Sequence, residues 1–141
     1  MKKGQHFFLG TVFYRFIVVF ALCLPCISHA QELVFCEKVA ANGTPTNYSS
    51  HFAISSKGGT VQLLVKAPKI LDCNNATVDV FMADEKYHEV FENTIKVSVQ
   101  PTWSWFTQSL SFYKAGTYVV YAYDEFGRLL GTARVNISIT R

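Results

Sequence analysis

The last segment of the chain alternates strictly between two classes of residue, and this period of two most constrains the fold. One parity is apolar or small and holds Leu129, Gly131, Ala133, Val135, Ile137 and Ile139. The other parity is mostly polar and holds Leu130, Thr132, Arg134, Asn136, Ser138 and Thr140. Successive side chains of a β-strand point to opposite faces of a sheet. The segment is therefore predicted to be a strand with one buried and one wet face, as in antiparallel sheets.

The same period recurs upstream, and no helical period is found beyond residue 31. In the segment before Pro101, Phe91, Ile95, Val97 and Val99 share the apolar parity. Turn residues separate the segments, and Asp124–Gly127 is predicted to be a hairpin loop in which the glycine takes a positive φ. Strands are predicted at 33–39, 51–55, 61–67, 77–82, 91–99, 109–113, 117–124 and 129–140. This number of short strands predicts an all-β sandwich or barrel.

The first thirty residues have the three parts of a secretory signal peptide. Lys2 and Lys3 give a positive start, and the apolar core Phe16–Pro25 is too short to span a bilayer. Ser28-His29-Ala30 predicts cleavage before Gln31, and hence a secreted or periplasmic protein. Two alternatives are an uncleaved membrane anchor and a lipoprotein, although the residues before the cysteines of this segment fit a lipid-attachment site poorly.

The charge balance of the predicted mature domain, residues 31–141, argues against polyanionic partners. The signal peptide holds three of the 13 basic residues and none of the 10 acidic residues, so the mature domain is close to neutral. A neutral domain without a basic run has no electrostatic reason to bind nucleic acid or anionic lipid.

Two cysteines, Cys36 and Cys73, remain after signal cleavage. In an oxidising compartment such a pair is predicted to form a disulfide, closing a loop of about 37 residues and worth about 3–4 kcal/mol. The alternative is two buried thiols that pack as small apolar groups. Neither His51 nor His88 stands at a metal-ligand spacing from a cysteine, so no zinc site is predicted.

The segment from Ser111 to Gly127 resembles the end of bacterial immunoglobulin-like domains, including the PKD type. A strand ends in a small-Gly-x-Tyr corner, and the next strand runs into an Asp-x-x-Gly hairpin. The resemblance implies an immunoglobulin-like sandwich of seven or eight strands, with Tyr118 at the tyrosine corner. It also implies kinship with small secreted bacterial proteins. Val120 stands where antibody domains have their second cysteine, and the fold alone implies no activity.

Catalytic chemistry has few candidates in this sequence. His51 and His88 are the available bases, and no serine lies in a nucleophile-elbow motif. The carboxylate pairs Asp84-Glu85 and Asp124-Glu125 fall in predicted turns, where Asp is favoured by local backbone hydrogen bonds. We therefore predict a protein that is not an enzyme and that has no metal or cofactor.

Two aromatic pairs are the candidate ligand-binding residues. Trp103 and Trp105 are predicted to point to one side of an extended segment with Phe106 opposite, either as a stacking platform for a sugar ring or as core packing. Tyr121 and Tyr123 share a parity, and either pack a second sheet face or form a strip that binds a partner. The predicted function is an exported binding or structural module for protein association at the cell envelope or outside the cell. The alternative is a carbohydrate-binding module that uses the Trp pair.

Overall fold

The computed structural model describes residues 32–141, and the predicted signal peptide, Met1–Ala30, lies outside the described residues. Within this range all regular secondary structure is β. The ten strands are β1 (Glu32–Cys36), β2 (Lys38–Val39), β3 (Pro45–Thr46), β4 (His51–Ile54), β5 (Gly59–Lys66), β6 (Asn75–Ala83), β7 (Glu89–Ser98), β8 (Trp105–Phe112), β9 (Gly116–Asp124) and β10 (Leu129–Ile139). The predicted all-β class is confirmed.

Two sheets form the body of the domain. The smaller has the order β1-β5-β8, and the larger has the order β4-β10-β9-β6-β7. All neighbours are antiparallel except β10 and β4, which run parallel. Within residues 32–141 no strand of one sheet pairs with a strand of the other. Of the two architectures predicted from the sequence, sandwich and barrel, the structure is therefore a sandwich. Strands β2 and β3 pair only with each other and form a separate two-stranded ribbon.

The core lies between the sheets and is built from the inward parity of each strand. Leu63 and Val65 of β5, Val78 of β6, Val120 of β9 and Val135 of β10 have no solvent exposure. Burying a side chain of this size contributes about 1.5–3 kcal/mol. This gain decides which face of each strand turns inward.

A β-bulge makes the predicted parity of β10 wrong at its start. The register with β9 shifts between Leu129 and Gly131. As a result Leu130 joins the core at 7% exposure, while Leu129 is 44% exposed. One extra residue in a strand exchanges the two faces beyond it, which a regular period of two does not anticipate.

A second bulge makes the predicted inward position of Phe91 wrong. The register between β6 and β7 shifts at Val80 and Phe81, so that Val80 lies opposite Asn93 while Phe81 lies opposite Phe91. Ile95 and Val97 keep the inward side as predicted, but Phe91 turns to the outer face of the larger sheet and is 58% exposed.

The tyrosine corner predicted from the resemblance is confirmed. The Tyr118 hydroxyl donates a hydrogen bond to the Lys114 carbonyl at 2.9 Å. The Tyr118 ring is buried against Phe112 of the opposite sheet, with 4.7 Å between ring centroids. The corner therefore ties the start of β9 to the turn before it and to β8.

The predicted disulfide between Cys36 and Cys73 is wrong for this structure, in which both thiols are free and buried. Phe35 points into the core, so Cys36, the next residue of β1, points to the outer side of the smaller sheet. Cys73 belongs to the core between the sheets. The two side chains thus lie on opposite sides of the smaller sheet, and burial raises the pKa of each thiol.

The segment that carries β2 and β3 covers the outer side of the smaller sheet. Cys36 and Leu64 are fully buried there although neither belongs to the core cluster. Gly43, at a φ of 80°, lies so close to the Trp105 indole that an added Cβ would be 2.8 Å from Cε2. This ribbon therefore hides part of a surface that the strand pattern alone would leave wet.

Candidate binding surface

An aromatic cluster covers the outer face of the larger sheet. Tyr121 and Tyr123 of β9 point there as predicted from their shared parity, and their rings stack at 6.4 Å. Phe81 of β6 packs edge-on against Tyr121 at 5.6 Å and against Phe91 of β7 at 5.7 Å. We call Phe81, Phe91, Tyr121 and Tyr123, together with Tyr87, the aromatic face.

Tyr87 lies at the tip of the β6–β7 hairpin with an unusual backbone conformation. Its φ is 62°, in the left-handed region that costs a non-glycine residue about 1–2 kcal/mol. Its ring is 75% exposed and carries the Arg134 guanidinium at 5.8 Å from the ring centroid. The fold thus holds a strained, exposed tyrosine beside an arginine, and strain of this kind concentrates at functional sites.

Glu89 joins the aromatic face to the edge of the sheet. The Tyr121 hydroxyl donates to both oxygens of the Glu89 carboxylate, at 2.8 and 3.0 Å. This hydrogen bond raises the pKa of Tyr121, with burial as the second cause. Val119 lies on the same side of β9 and is only 5% exposed, so the rings form a packed layer with a buried floor.

The predicted Trp pair lies elsewhere, at the side of the sandwich where β7 and β8 are the edge strands of their sheets. Trp103 is 40% exposed, whereas Trp105 is half-buried against Gly43. Both indoles line a cleft of about 600 Å³, with Val97 and Ser98 of β7 on the other wall. Phe106 points into the core, opposite to Trp105, as predicted.

The acidic residues proposed as catalytic candidates instead close two hairpins in the same way. Oδ1 of Asp84 accepts from the backbone N–H groups of Lys86 and His88 at 2.8 Å, and Oδ2 lies 3.1 Å from Nδ1 of His88. The backbone hydrogen bond from His88 is the main cause that lowers the pKa of Asp84. This carboxylate accepts hydrogen bonds within its own turn, as predicted from the preference of Asp for turns.

Asp124 repeats the arrangement at the β9–β10 hairpin, where Gly127 takes the predicted positive φ of 79°. Its Oδ1 accepts from the N–H groups of Phe126 and Arg128 at 2.9 Å, and its Oδ2 from Nε of Arg128 at 2.6 Å. Burial alone would raise the pKa of Asp124, but the hydrogen bonds from Arg128 and Phe126 outweigh it and lower the pKa.

His51, the remaining candidate base, is exposed, with Nδ1 3.0 Å from the Ser50 hydroxyl. Residues 32–141 contain no group of three His, Cys, Asp or Glu side chains that could hold a metal ion. They also include no helix with the length and hydrophobicity that a membrane crossing requires.

The sequence interpretation missed Phe81, Phe91, Tyr87 and Arg134 as members of the surface. Phe81 and Arg134 stand on the outward parity of their strands, a signal that was available in the sequence. Phe91 was hidden by the bulge, and the position of Tyr87 depends on the fold of the hairpin.

One solved structure supports the architecture, and two others share less of it. An immunoglobulin-like protein from Pseudomonas aeruginosa superposes with a TM-score of 0.50 at 8% identity, over 77% of this chain and 93% of that chain. The CARDB domain of a Pyrococcus furiosus protein gives 0.42 at 15% identity, over 78% and 96% of the two chains. A superoxide reductase from Ignicoccus hospitalis gives 0.43 at 16% identity, over 78% and 81%.

The similarity to the Pseudomonas protein concerns the fold alone, because an identity of 8% is far below the level at which function is shared. No protein-family model matches the sequence, and no curated protein shows significant similarity to it. The chain folds as an immunoglobulin-like β-sandwich whose strands are antiparallel apart from the β4–β10 pair.

Proposed function

We propose that this protein is an exported, non-enzymatic module that associates with another protein through the aromatic face. The observation that carries the proposal is the outer side of the larger sheet, where aromatic side chains from three strands and one hairpin meet and, among residues 32–141, stay partly or largely exposed. Tyr87 and Phe91 are the most exposed of them, at 75% and 58%. Exposed apolar patches on globular domains mark interaction sites.

The composition of this face fits a protein partner. Tyr, Phe and Arg are enriched in protein interfaces, and Tyr and Arg are frequent among the residues that dominate binding energy. Tyr121 is fixed by Glu89 and by its edge-on contact with Phe81. A surface that is already ordered loses less side-chain entropy on association.

The turn chemistry supports a non-enzymatic role. The carboxylates of Asp84 and Asp124 satisfy backbone donors of their own hairpins. A general acid or base must instead reach a substrate with a group that is free to exchange a proton. Export is supported by the signal-like segment Met1–Ala30.

Site-specific photo-crosslinking in the cells that make the protein tests this proposal. A benzophenone amino acid replaces Phe91 in one variant and Phe126 in the matched control. Phe126 is a similarly exposed phenylalanine, at 66%, but lies in the β9–β10 hairpin outside the aromatic face. We expect a discrete heavier product from position 91 only, lost when Tyr123→Ala is added. Equal products at both positions, or none at position 91, would refute the proposal.

The alternative, carbohydrate binding by Trp103 and Trp105, is supported less well. Both indoles line one cleft together with the hydroxyls of Thr102 and Ser104. However, Gly43 lies against Trp105, so the two rings do not present equally open faces. Saturable quenching of tryptophan fluorescence by a defined oligosaccharide, abolished by Trp103→Ala, would favour this alternative over the aromatic face.

A further inference from the structure

Strand β8 has a free edge. It is the last strand of the smaller sheet, and within residues 32–141 its only hydrogen-bonded neighbour is β5. The pairing with β5 runs without a register shift from Trp105 to Phe112. The opposite side of β8 is therefore open to pairing along eight residues, or about 27 Å of strand. Every second residue turns its backbone groups to this side, and among these the Ser109 carbonyl accepts a hydrogen bond from the Gln108 side chain at 3.0 Å.

The larger sheet extends past this edge and forms a shelf beside it. The contact of Phe112 with Tyr118 places β8 opposite β9, and Leu110 shares a cleft with Val80 of β6. Strand β7 is next in that sheet and has no strand of the smaller sheet above it. Its inward side chains Ile95 and Val97 are accordingly only half-buried.

Two clefts occupy the space above this shelf. One, of about 600 Å³, lies between Val97 and the start of β8 at Trp105–Thr107. The other, of about 500 Å³, lies between Asn93 and Ile95 of β7 and the end of β8 at Ser109–Phe112. Together they follow the whole free edge, with apolar residues at the bottom and hydroxyl groups at the rim.

The edge of β8 lacks the features by which proteins protect sheet edges from pairing. Natural edge strands use charged side chains, proline and bulges for this purpose. β8 contains none of the three, whereas β7, the edge of the other sheet, has the bulge near Phe91 as well as Glu89, Glu92 and Lys96. Because the β7 edge is protected and the β8 edge is not, β8 is the edge that favours pairing with a further strand.

We propose that the slot between β8 and the β7 shelf receives an extended segment of a partner polypeptide as a fourth strand of the smaller sheet. Backbone hydrogen bonds to β8 would hold the segment, and its alternate side chains would enter the two clefts. This site is separate from the aromatic face, which lies on the other side of β7, so failure of either proposal leaves the other standing.

The lining of the slot defines the chemistry of the segment. Side chains that face the shelf meet Ile95, Val97 and Phe106, where an unpaired charge would lose water without gaining a counterion. Charged groups line only one end, where Glu92 and Lys114 border the smaller cleft. The segment should therefore have seven to nine residues, roughly the length of β8, with uncharged apolar residues at every second position.

A second copy of this chain fits the slot poorly. Pairing β8 with the β8 of another copy would bring that copy's own β7 shelf into the same space, because β7 extends beyond β8 in both. A single strand without a second layer avoids this overlap. The geometry thus favours a segment of a different polypeptide over a dimer.

The probe for the test is a fluorescent nine-residue peptide that alternates threonine and valine and has two lysines at its end. A peptide with proline at the central position is the control ligand. We expect saturable fluorescence anisotropy with the alternating peptide and at least tenfold weaker binding of the proline peptide. Val97→Glu should weaken binding at least tenfold, whereas Val90→Glu, on the exposed start of β7, should change it less than twofold.

Hydrogen exchange gives a readout that does not depend on any variant. The alternating peptide should slow exchange of β8 amides and leave β1 amides unchanged. The proposal is overturned if the peptide does not bind, if the proline peptide binds equally, or if Val97→Glu folds and binds normally. A concentration-dependent dimer that competes with the peptide would assign the slot to a second copy and overturn it as well.

Discussion

Replacing Asp124 should cost more stability than its position at a hairpin suggests. The side chain is only 3% exposed and accepts three hydrogen bonds, two of them from the backbone N–H groups of Phe126 and Arg128. Asp124→Ala leaves these two donors without their acceptor, at about 1–2 kcal/mol each. The Arg128 ion pair adds little, because that side chain is 67% exposed. We expect a loss of about 2–4 kcal/mol.

Urea unfolding of residues 31–141 at pH 7 measures this loss. The midpoint should fall while the slope m stays unchanged, which separates lost stability from a changed denatured state. Asp124→Asn keeps an acceptor oxygen at the same place, so it should lose less than the alanine variant. Asp84→Ala removes the equivalent carboxylate at the β6–β7 hairpin, which is far more exposed, and is expected to have the smaller effect.

The same carboxylate predicts a pH dependence. The pKa of Asp124 is lowered in the folded protein relative to its ordinary value of 3.8. Its contribution is therefore complete above that value and is lost as the pH falls through the lower, folded-state pKa. Asp124→Asn should flatten this part of the stability profile. A loss below about 1 kcal/mol for Asp124→Ala, or an unchanged acid limb in Asp124→Asn, would refute the reasoning.

Four further predictions follow from single contacts. Tyr118→Phe removes the hydrogen bond to Lys114 and should lower the free energy of unfolding by about 1 kcal/mol in urea titration. Gly43→Ala places a Cβ against Trp105 at a positive φ, so it should destabilise the domain by about 1–3 kcal/mol and red-shift its tryptophan fluorescence. Tyr87→Gly relieves a positive φ and should stabilise the domain by up to about 1 kcal/mol in urea titration, while weakening the crosslink on the aromatic face. Thiol titration of the purified domain in denaturant without reductant should count both of its cysteines as free.

Each of these has a result that would contradict it. Tyr118→Phe with wild-type stability would mean that the corner hydrogen bond is absent in solution. An unchanged fluorescence spectrum in Gly43→Ala would mean that the β2–β3 ribbon does not contact the Trp105 indole in solution. A destabilised Tyr87→Gly variant would mean that the ring contact with Arg134 outweighs the backbone strain. No titratable thiol would restore the disulfide predicted from the sequence.

The architecture could be predicted from the sequence because the chain is short and its strands keep one parity over long stretches. In β10, the alternation from Ala133 to Ile137 predicted the inward side correctly. The corner and the Asp124–Gly127 hairpin were recognisable because their chemistry is local. Backbone turns of this kind depend on residues within four positions of each other, and such signals can be read from sequence.

Features that depend on contacts across the fold could not be predicted. A bulge exchanges the two faces of a strand, so the parity rule misplaced Phe91 and Leu130. The pairing of Cys36 with Cys73 was inferred from their number, which carries no information about the sheet between them. The aromatic face required the relative register of β6, β7 and β9, and single-sequence patterns do not contain that register.

The central claim is that the aromatic face is an open surface which a partner covers. Hydroxyl-radical footprinting with mass spectrometry tests this claim most directly. In the free domain, Phe91 and Tyr87 should be oxidised as fast as Phe126, while the core residue Phe106 is protected. The complex crosslinked through position 91 serves to identify and isolate the partner. The uncrosslinked complex with that partner is then footprinted, and in it Tyr87 should be protected from oxidation while Phe126 stays reactive. Slow oxidation of Phe91 in the free domain, or equal reactivity of Tyr87 with and without the partner, would contradict the account.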